Sequence, residues 1–375
     1  MTDAVYCRKM TLRSYRNIEN AEVSFSPGVN VIFGRNAQGK TNLLEAIYIF
    51  ARGRSFRGTP DRELIRSGDT FFTVKNEYTD AQREEELLLE HTDKKTKRYL
   101  NGVKLERNIE MISHFRAVLF CPDHLGIVKG SPSERREFMN IAISQLSRDY
   151  VYLLGNYTMA LENRNALIKK IGVSGISGAQ RERLLENIPV WNAQLARFAA
   201  KIAQRRAEYI EKLSPHAEFI MSEMSENTER LRIQYSCDVP DPHNFADSEQ
   251  EYLRLLEAGL DRDLSAGSTQ RGPHRDDLIL KINGVPLRQW GSQGQQRTAV
   301  LSLKLAEGEI CRELTGEHPV FLFDDVLSEL DAERRKYLFD RVADKQYIIT
   351  TCEADAGLAS CKIIHAKNGV FTEIN

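Results

Sequence analysis

The segment Gly34-Arg35-Asn36-Ala37-Gln38-Gly39-Lys40-Thr41 constrains what this chain can fold into more than any other. It matches the pattern G-x-x-x-x-G-K-[ST] in full. It also stands where such a loop must stand. The strand-like run Val29-Asn30-Val31-Ile32-Phe33 precedes it, and a helical stretch carrying Leu43, Leu44, Ile47 and Tyr48 on one side follows. Backbone N–H groups of a loop in that setting converge on phosphate oxygens, and the helix N-terminus adds positive potential. Gly34 and Gly39 permit the tight backbone and the close approach. Lys40 is expected to reach the β- and γ-phosphates of a nucleotide, and Thr41 to offer its hydroxyl to Mg²⁺.

Further segments extend the pattern. Pro319-Val320-Phe321-Leu322-Phe323-Asp324-Asp325 reads as a buried strand ending in two carboxylates. In P-loop enzymes such a strand is expected beside the P-loop strand, with Asp324 holding Mg²⁺ through water. Asp325 then orients or deprotonates the attacking water. Gly291-Ser292-Gln293-Gly294-Gln295-Gln296-Arg297 begins a helix about thirty residues before that strand. It resembles the signature motif of ATP-binding-cassette proteins, which in that family meets the γ-phosphate of ATP held by the opposite subunit. Ser292 offers a hydroxyl, and the Gly294 N–H is free of side-chain obstruction. Ser328-Glu329-Leu330-Asp331 resembles the D-loop of the same family. The strand Tyr347-Ile348-Ile349 leads into Thr350-Thr351, where transporter ATPases usually carry histidine at the second position. No clear glutamine follows the strand 117–120, where Cys121-Pro122-Asp123 stands instead of the usual metal-sensing residue.

These motifs bracket a region of different character. The ends of the chain alternate short apolar runs with turns, including hairpin signals at Asn101-Gly102 and Asn283-Gly284. Residues 133–170 and 181–213 have helical period, with the flexible GVSGISG break between them. They suggest an antiparallel helical hairpin with arms of about 35 residues, roughly 50 Å each. The expected layout is an α/β P-loop ATPase head of cassette type, a mixed sheet with helices, formed by 1–132 and 267–375. A mainly helical lobe, 133–266, splits it. A formal net charge of -1 argues against indiscriminate nucleic-acid binding, so any DNA surface must be local or built by dimerisation. Six cysteines without a Cys-x-x-Cys pair argue against a zinc site or disulfide framework. With no membrane-length apolar run and no secretory signal, a cytoplasmic location and no membrane partner are expected.

Several stretches narrow the resemblance. Pro122-Asp123-His124 through Gly130-Ser131-Pro132 and Arg135-Arg136-Glu137-Phe138 is similar to the RecF family. So is Leu322-Phe323-Asp324-Asp325-Val326-Leu327-Ser328-Glu329-Leu330-Asp331, with Arg334 and Leu338 following. Gly272-Pro273-His274-Arg275-Asp276-Asp277, Tyr15-Arg16-Asn17 and Gly53-Arg54-Ser55-Phe56-Arg57 are similar to that family as well. The resemblance implies a weak, DNA-dependent ATPase that uses ATP and Mg²⁺ as a switch. It implies an ATP-dependent homodimer on single-stranded DNA, gaps or duplex–single-strand junctions. It also implies roles in DNA repair, replication and the SOS response, acting with RecR and RecO to install the RecA recombinase. The nucleotide would then contact Gly34 through Thr41 in one chain, with Ser292, Gly294, Gln295, Asp331 and Thr351 also at the site. Asp325, Lys40 and Ser292 would be catalytic, and Thr41 and Asp324 would hold the metal. For DNA, the basic residues Arg52, Arg54, Arg57, Lys94, Lys95, Lys97 and Arg98 are candidates or simply a solvated face. Arg135 and Arg136 are open to either a DNA role or pairing with acidic neighbours. Competing readings are a peripheral transporter ATPase, an SMC-like structural tether and a small-molecule kinase. The signature motif has no use in a kinase, and the insertion is too short for a long tether.

Overall fold

The computed structural model describes residues 5–80, 83–92, 94–112, 114–172, 177–326, 330–341, 345–352 and 361–374. The chain runs through β1 (Tyr6–Tyr15), β2 (Ile18–Ser24), β3 (Val29–Phe33), α1 (Lys40–Arg52), β4 (Phe71–Thr79), β5 (Glu84–Thr92), β6 (Lys95–Leu100), β7 (Val103–Leu105), α2 (Asn108–Met111) and β8 (Ala117–Phe120). Next come α3 (Gly126–Lys129), α4 (Pro132–Leu146), α5 (Arg148–Ile171), α6 (Gly178–Leu185), α7 (Ile188–Met224), β9 (Leu231–Ser236), α8 (Phe245–Ala258) and α9 (Leu260–Ala266). The remainder is β10 (Asp277–Ile282), β11 (Val285–Pro286), α10 (Leu287–Trp290), α11 (Gln293–Thr315), β12 (Val320–Asp324), α12 (Ala332–Asp340), β13 (Tyr347–Thr351), β14 (Lys362–Lys367) and β15 (Val370–Ile374). Two compact units divide these elements. The first comprises Met1–Leu125, His216–Arg230 and Ser292–Asn375; the second comprises Gly126–Pro215 and Leu231–Gly291. Residues 126–132 and 267–291 thus lie with the second unit, and 216–230 with the first.

The first unit holds two six-stranded sheets. One has the order β15-β14-β3-β13-β12-β8. Its neighbours are parallel except for the β14–β15 pair. β8, β12 and β13 are buried at every position, as strands covered on both faces must be, and their sequences are accordingly continuous apolar runs. This order corrects one expectation. The acidic strand β12 is not beside the P-loop strand β3, because β13 lies between and pairs with both. The physical reason is that β13 is buried along its whole length and takes a parallel ladder on each edge, which an edge strand could not. The other sheet, β2-β1-β4-β5-β6-β7, is antiparallel throughout. β4 and β5 alternate buried and more exposed residues, the mark of a sheet with one face on the core. Its β6–β7 turn has Asn101 and Gly102 at φ 51° and 78°, as the hairpin signal requires.

The second unit carries the helical insertion and the small sheet β11-β10-β9. The first arm is not one helix. Ser147 takes φ -144° and ψ 111°, ends α4, and caps α5 by accepting from the Tyr150 N–H. In the second arm, α6 is followed by α7, which at 37 residues is longer than expected and continues through Pro215. α5 and α7 run antiparallel, because their partners move in opposite directions. Tyr150 meets Arg206 at 3.1 Å, and Arg164 meets Asn192 at 2.7 Å.

Buried charge fixes this unit. Arg164 is fully buried and donates to Asp263 at 2.6 Å, Thr269 at 2.7 Å and the Leu256 carbonyl at 3.3 Å. Asp276 accepts from Arg206 at 2.7 Å and from the Tyr235 hydroxyl. Burial pushes the Asp276 carboxyl up, and Arg206 pulls it back down. Arg135 grips Asp277 through two nitrogens at 2.5 and 3.0 Å, and Arg136 donates to the Asp276 carbonyl at 2.9 Å. Both arginines therefore hold the Gly272–Asp277 turn inside the unit. Removing one partner of a buried pair strands the other charge. Arg164→Met is expected to destabilise the second unit by about 3–5 kcal/mol, read as a lowered urea midpoint. An unchanged midpoint would show that the Asp263 pairing does not hold α5 in place.

Candidate nucleotide-binding site

β3 delivers the chain into the P-loop, and α1 carries it away. At Gly34 the loop passes so close to β14 that a Cβ would lie 2.3 Å from the Ala366 carbonyl oxygen. Ala37 and Gly39 take φ 64° and 102°, and Gly39 is the N-cap of α1. The Gly34 N–H donates to the Thr351 carbonyl at 3.3 Å, which ties the loop to β13. Gln38 anchors the far side, with its side-chain oxygen accepting from the Asn368 N–H at 2.7 Å and its carbonyl accepting from the Gly369 N–H at 3.0 Å. Lys40 is buried and folds back over the loop. Its ammonium donates to the carbonyls of Gly34 at 2.5 Å and Arg35 at 3.0 Å, and lies 3.8 Å from the Cys352 sulfur. Cys352 in turn donates to the Asn36 side-chain oxygen at 3.0 Å.

The carboxylates lie across β13. Thr41 Oγ1 donates to Asp324 Oδ1 at 2.8 Å, and Thr350 Oγ1 donates to the same oxygen at 2.8 Å. Asp324 is buried, which pushes its carboxyl up, while the hydroxyls of Thr350 and Thr41 draw it down. Asp325 follows at φ 53°, a left-handed conformation uncommon for aspartate. Its N–H donates to both the carbonyl and the hydroxyl of Thr350, at 3.2 and 3.0 Å. Thr41 and Asp324 supply two oxygen donors side by side, and no cluster of three or more His, Cys, Asp or Glu occurs among the described residues. That donor set fits Mg²⁺, which keeps several waters and takes its other ligands from substrate phosphates. It does not fit a metal caged by protein alone.

The signature-like segment caps α11. Ser292 Oγ accepts from the Gln295 N–H at 3.1 Å, and the Ser292 N–H donates to the Gln295 side chain at 2.9 Å, a capping box. Gln295 also donates to Glu229 at 2.9 Å. Ser292 is exposed, and the Arg334 guanidinium lies 3.8 Å from where a Gly294 Cβ would stand. Asp331 caps α12 by accepting from the Arg334 N–H at 2.9 Å, and it pairs with the Arg334 side chain. Ser328 and Glu329 of the D-loop-like segment lie outside the described residues. Beyond β8, Cys121 is buried and its thiol is pushed up to about 12 by that burial.

Reading motifs alone misses Glu45. It is fully buried in α1, one turn beyond Thr41, and organises the base of the site. Arg16 donates to its two oxygens at 3.0 and 2.8 Å, and Ser55 donates at 2.5 Å. Asn17 bridges to the loop, donating to the Ala37 carbonyl at 3.3 Å and accepting from Asn42 at 2.8 Å. The signal available was a glutamate inside an otherwise apolar helical face. Arg57, a candidate for DNA, also stands in this network, 3.0 Å from Asn42 and 3.9 Å from Glu45. Arg98 is 3.9 Å from Asp61, whereas Lys94, Lys95 and Lys97 are exposed.

A largely parallel sheet, a phosphate-type loop opening a helix, and a buried carboxylate on the next strand but one define a P-loop ATPase head. Residues 6–368 match the RecF/RecN/SMC N terminal domain family. The chain is 39% identical over 373 residues to a DNA replication and repair protein RecF of Exiguobacterium sp., covering 97% of this chain and 98% of that one. It is 36% identical over 354 residues to the RecF of Acetivibrio thermocellus, covering 94% of each. A solved structure of the recombination mediator protein RecF-ATP in the RecFOR pathway superimposes with a TM-score of 0.90 at 35% identity, covering 100% of this chain and 99% of that one. An Smc head domain from Pyrococcus furiosus shares the fold, with a TM-score of 0.57 at 18% identity. The chain belongs to the RecF family of DNA replication and repair proteins. A side chain at Gly34 must displace β14 or the loop. Gly34→Ala is therefore expected to weaken nucleotide binding about tenfold or more by calorimetry, with the overall fold kept by circular dichroism. Undiminished affinity would mean the close approach to Ala366 does not shape the loop.

Proposed function

We propose that this protein binds Mg²⁺-ATP in the P-loop of one copy and closes a second copy's signature helix over it. The closed dimer then holds DNA at gaps or duplex–single-strand junctions. The observation that carries the reading is the 2.8 Å contact between Thr41 and Asp324, which joins the P-loop helix to the acidic strand across β13. Related RecF proteins described with ATP and as recombination mediators of the RecFOR pathway support it. RecO and RecR, with DNA and the RecA recombinase, are the partners this reading implies, and a cytoplasmic location accords with it. No described helix is long and apolar enough to cross a membrane.

The chemistry follows from the residues. Lys40 exchanges the carbonyls of Gly34 and Arg35 for the β- and γ-phosphate oxygens. The loop N–H groups and the N-terminus of α1 face the phosphates. Bound Mg²⁺ would neutralise charge on the β- and γ-phosphates, held by Thr41 and Asp324. Thr41 can turn its lone pairs to the metal while its hydrogen still faces Asp324. Asp325 takes the proton of the attacking water. Aspartate is one methylene shorter than the glutamate usual in cassette ATPases, so its reach is shorter and turnover slow, as suits a switch. Ser292 and Gly294, at an exposed helix N-terminus, serve the nucleotide of the other copy, with Asp331 and Arg334 beside them.

Two variants and one titration test this reading. Ser292→Arg should leave ATP binding to the monomer intact and abolish ATP-induced dimers in sedimentation. A mutant that still dimerises contradicts the role in the other copy's site. Asp325→Asn should keep Mg²⁺-ATP bound while single-turnover hydrolysis falls by about 10²–10⁴-fold. Hydrolysis at the wild-type rate removes Asp325 as the base, and loss of ATP binding means the two aspartates have exchanged roles. Junction-DNA binding should require ATP and weaken steeply with salt, because phosphate contacts release counterions. Equal binding with and without nucleotide excludes the clamp.

A further inference from the structure

We infer that Thr350 is a positioning residue that sets both aspartates of the site through a single hydroxyl. The inference rests on the nucleotide reading above and gives a role to a residue to which the sequence reading assigned none. Thr350 is fully buried on β13, directly across the ladder from Asp324. Its Oγ1 donates to Asp324 Oδ1 at 2.8 Å and accepts from the Asp325 N–H at 3.0 Å. A hydroxyl has one hydrogen and two lone pairs, so it can do both at once. The Phe323 carbonyl, at 3.5 Å, is a much weaker rival for that hydrogen than a carboxylate at 2.8 Å.

The two bonds have different consequences. The bond to Asp324 pins the same oxygen that accepts from Thr41, so the carboxylate is held in place beside the other proposed metal ligand. The bond from the Asp325 N–H holds the backbone where Asp325 takes φ 53°. That conformation persists only when its surroundings specify it. Both the carbonyl and the hydroxyl of Thr350 receive this N–H, so β13 fixes the direction in which the chain leaves β12. Because β13 lies between β3 and β12, one residue on it reaches the metal-holding carboxylate and the proposed base together. Thr351, the next residue, accepts the Gly34 N–H of the P-loop through its carbonyl, the contact described above.

The test separates hydroxyl from packing. Thr350→Val keeps the shape and removes the hydroxyl; Thr350→Ser keeps the hydroxyl and removes a methyl group. Two readouts are needed: Mn²⁺ binding in the presence of ATP by electron paramagnetic resonance, and single-turnover hydrolysis. For Thr350→Val we expect metal-free nucleotide affinity like wild type, Mn²⁺ affinity lowered about tenfold, and hydrolysis lowered about tenfold to hundredfold. Thr350→Ser should stay within about threefold of wild type in both. Should the valine variant not fold, Thr350→Ala against Thr350→Ser makes the same comparison with packing equally truncated. Equal losses in the serine and hydroxyl-free variants, or wild-type metal binding without the hydroxyl, would overturn the role. Failure of the wild-type protein to bind ATP would overturn the nucleotide reading itself, and it is seen before any variant is compared.

Discussion

The site depends on the parallel pairing of β13 with two neighbours. The register aligns Thr350 with Ile32 on one side and with Asp324 on the other, while Thr351 aligns with Phe33. The C-terminal ends of β3, β12 and β13 therefore finish at one level. In open α/β sheets this is where ligands bind, at the carboxyl ends of the strands. The P-loop leaves from one of these ends and the two aspartates from another. A slip of one residue in either ladder would turn Asp324 or Thr350 to the opposite face of the sheet. The complete burial of β12 and β13 guards against that slip, because their apolar side chains are accommodated on both faces in only one register.

Buried charge serves two different ends in this molecule. Glu45, Arg16 and Ser55 form a linked set, with the carboxylate receiving both its arginine and a hydroxyl. Glu45 lies early in α1, and the bonds that reach it from Arg16 and Ser55 fix the rotation of that helix. In the second unit, Arg164 with Asp263 and Arg206 with Asp276 hold helices and the 272–277 turn in register. Such pairs add little net stability compared with apolar packing, but a mispaired arrangement would leave a charge in a dry interior. They specify one packing over its alternatives.

Much of this was legible in the sequence, for identifiable reasons. The P-loop, the acidic strand and the cap of α11 are local patterns, each fixed by residues adjacent in the chain. β3, β8, β12 and β13 fall where apolar runs announced them, and the Asn-Gly turns take the positive φ their hairpins need. What was not legible is non-local. Strand order cannot be read from a strand's own residues, so β13 between β3 and β12 was missed. Glu45 gains its meaning from Arg16 and Ser55, which reach it from separate segments of the chain. The break at Ser147 has a local signal, a serine before Arg148-Asp149, but the helical period on both sides conceals it. Arg57 reads as one more surface base until the fold places Asn42 and Glu45 beside it.

The central claim is that each nucleotide is enclosed by the P-loop of one copy and the signature helix of another. Mixing two inactive variants tests it most directly. Lys40→Ala lacks its own nucleotide site but retains Ser292, whereas Ser292→Arg retains its P-loop but cannot cap a partner's nucleotide. Together they can form one intact composite site, in which the P-loop of the Ser292→Arg chain meets the signature helix of the Lys40→Ala chain. The measurement is ATP hydrolysis on junction DNA by each variant alone and by an equimolar mixture. The account predicts that the mixture hydrolyses ATP while neither variant does so alone. A mixture no more active than its components, or full activity from Ser292→Arg by itself, would contradict it.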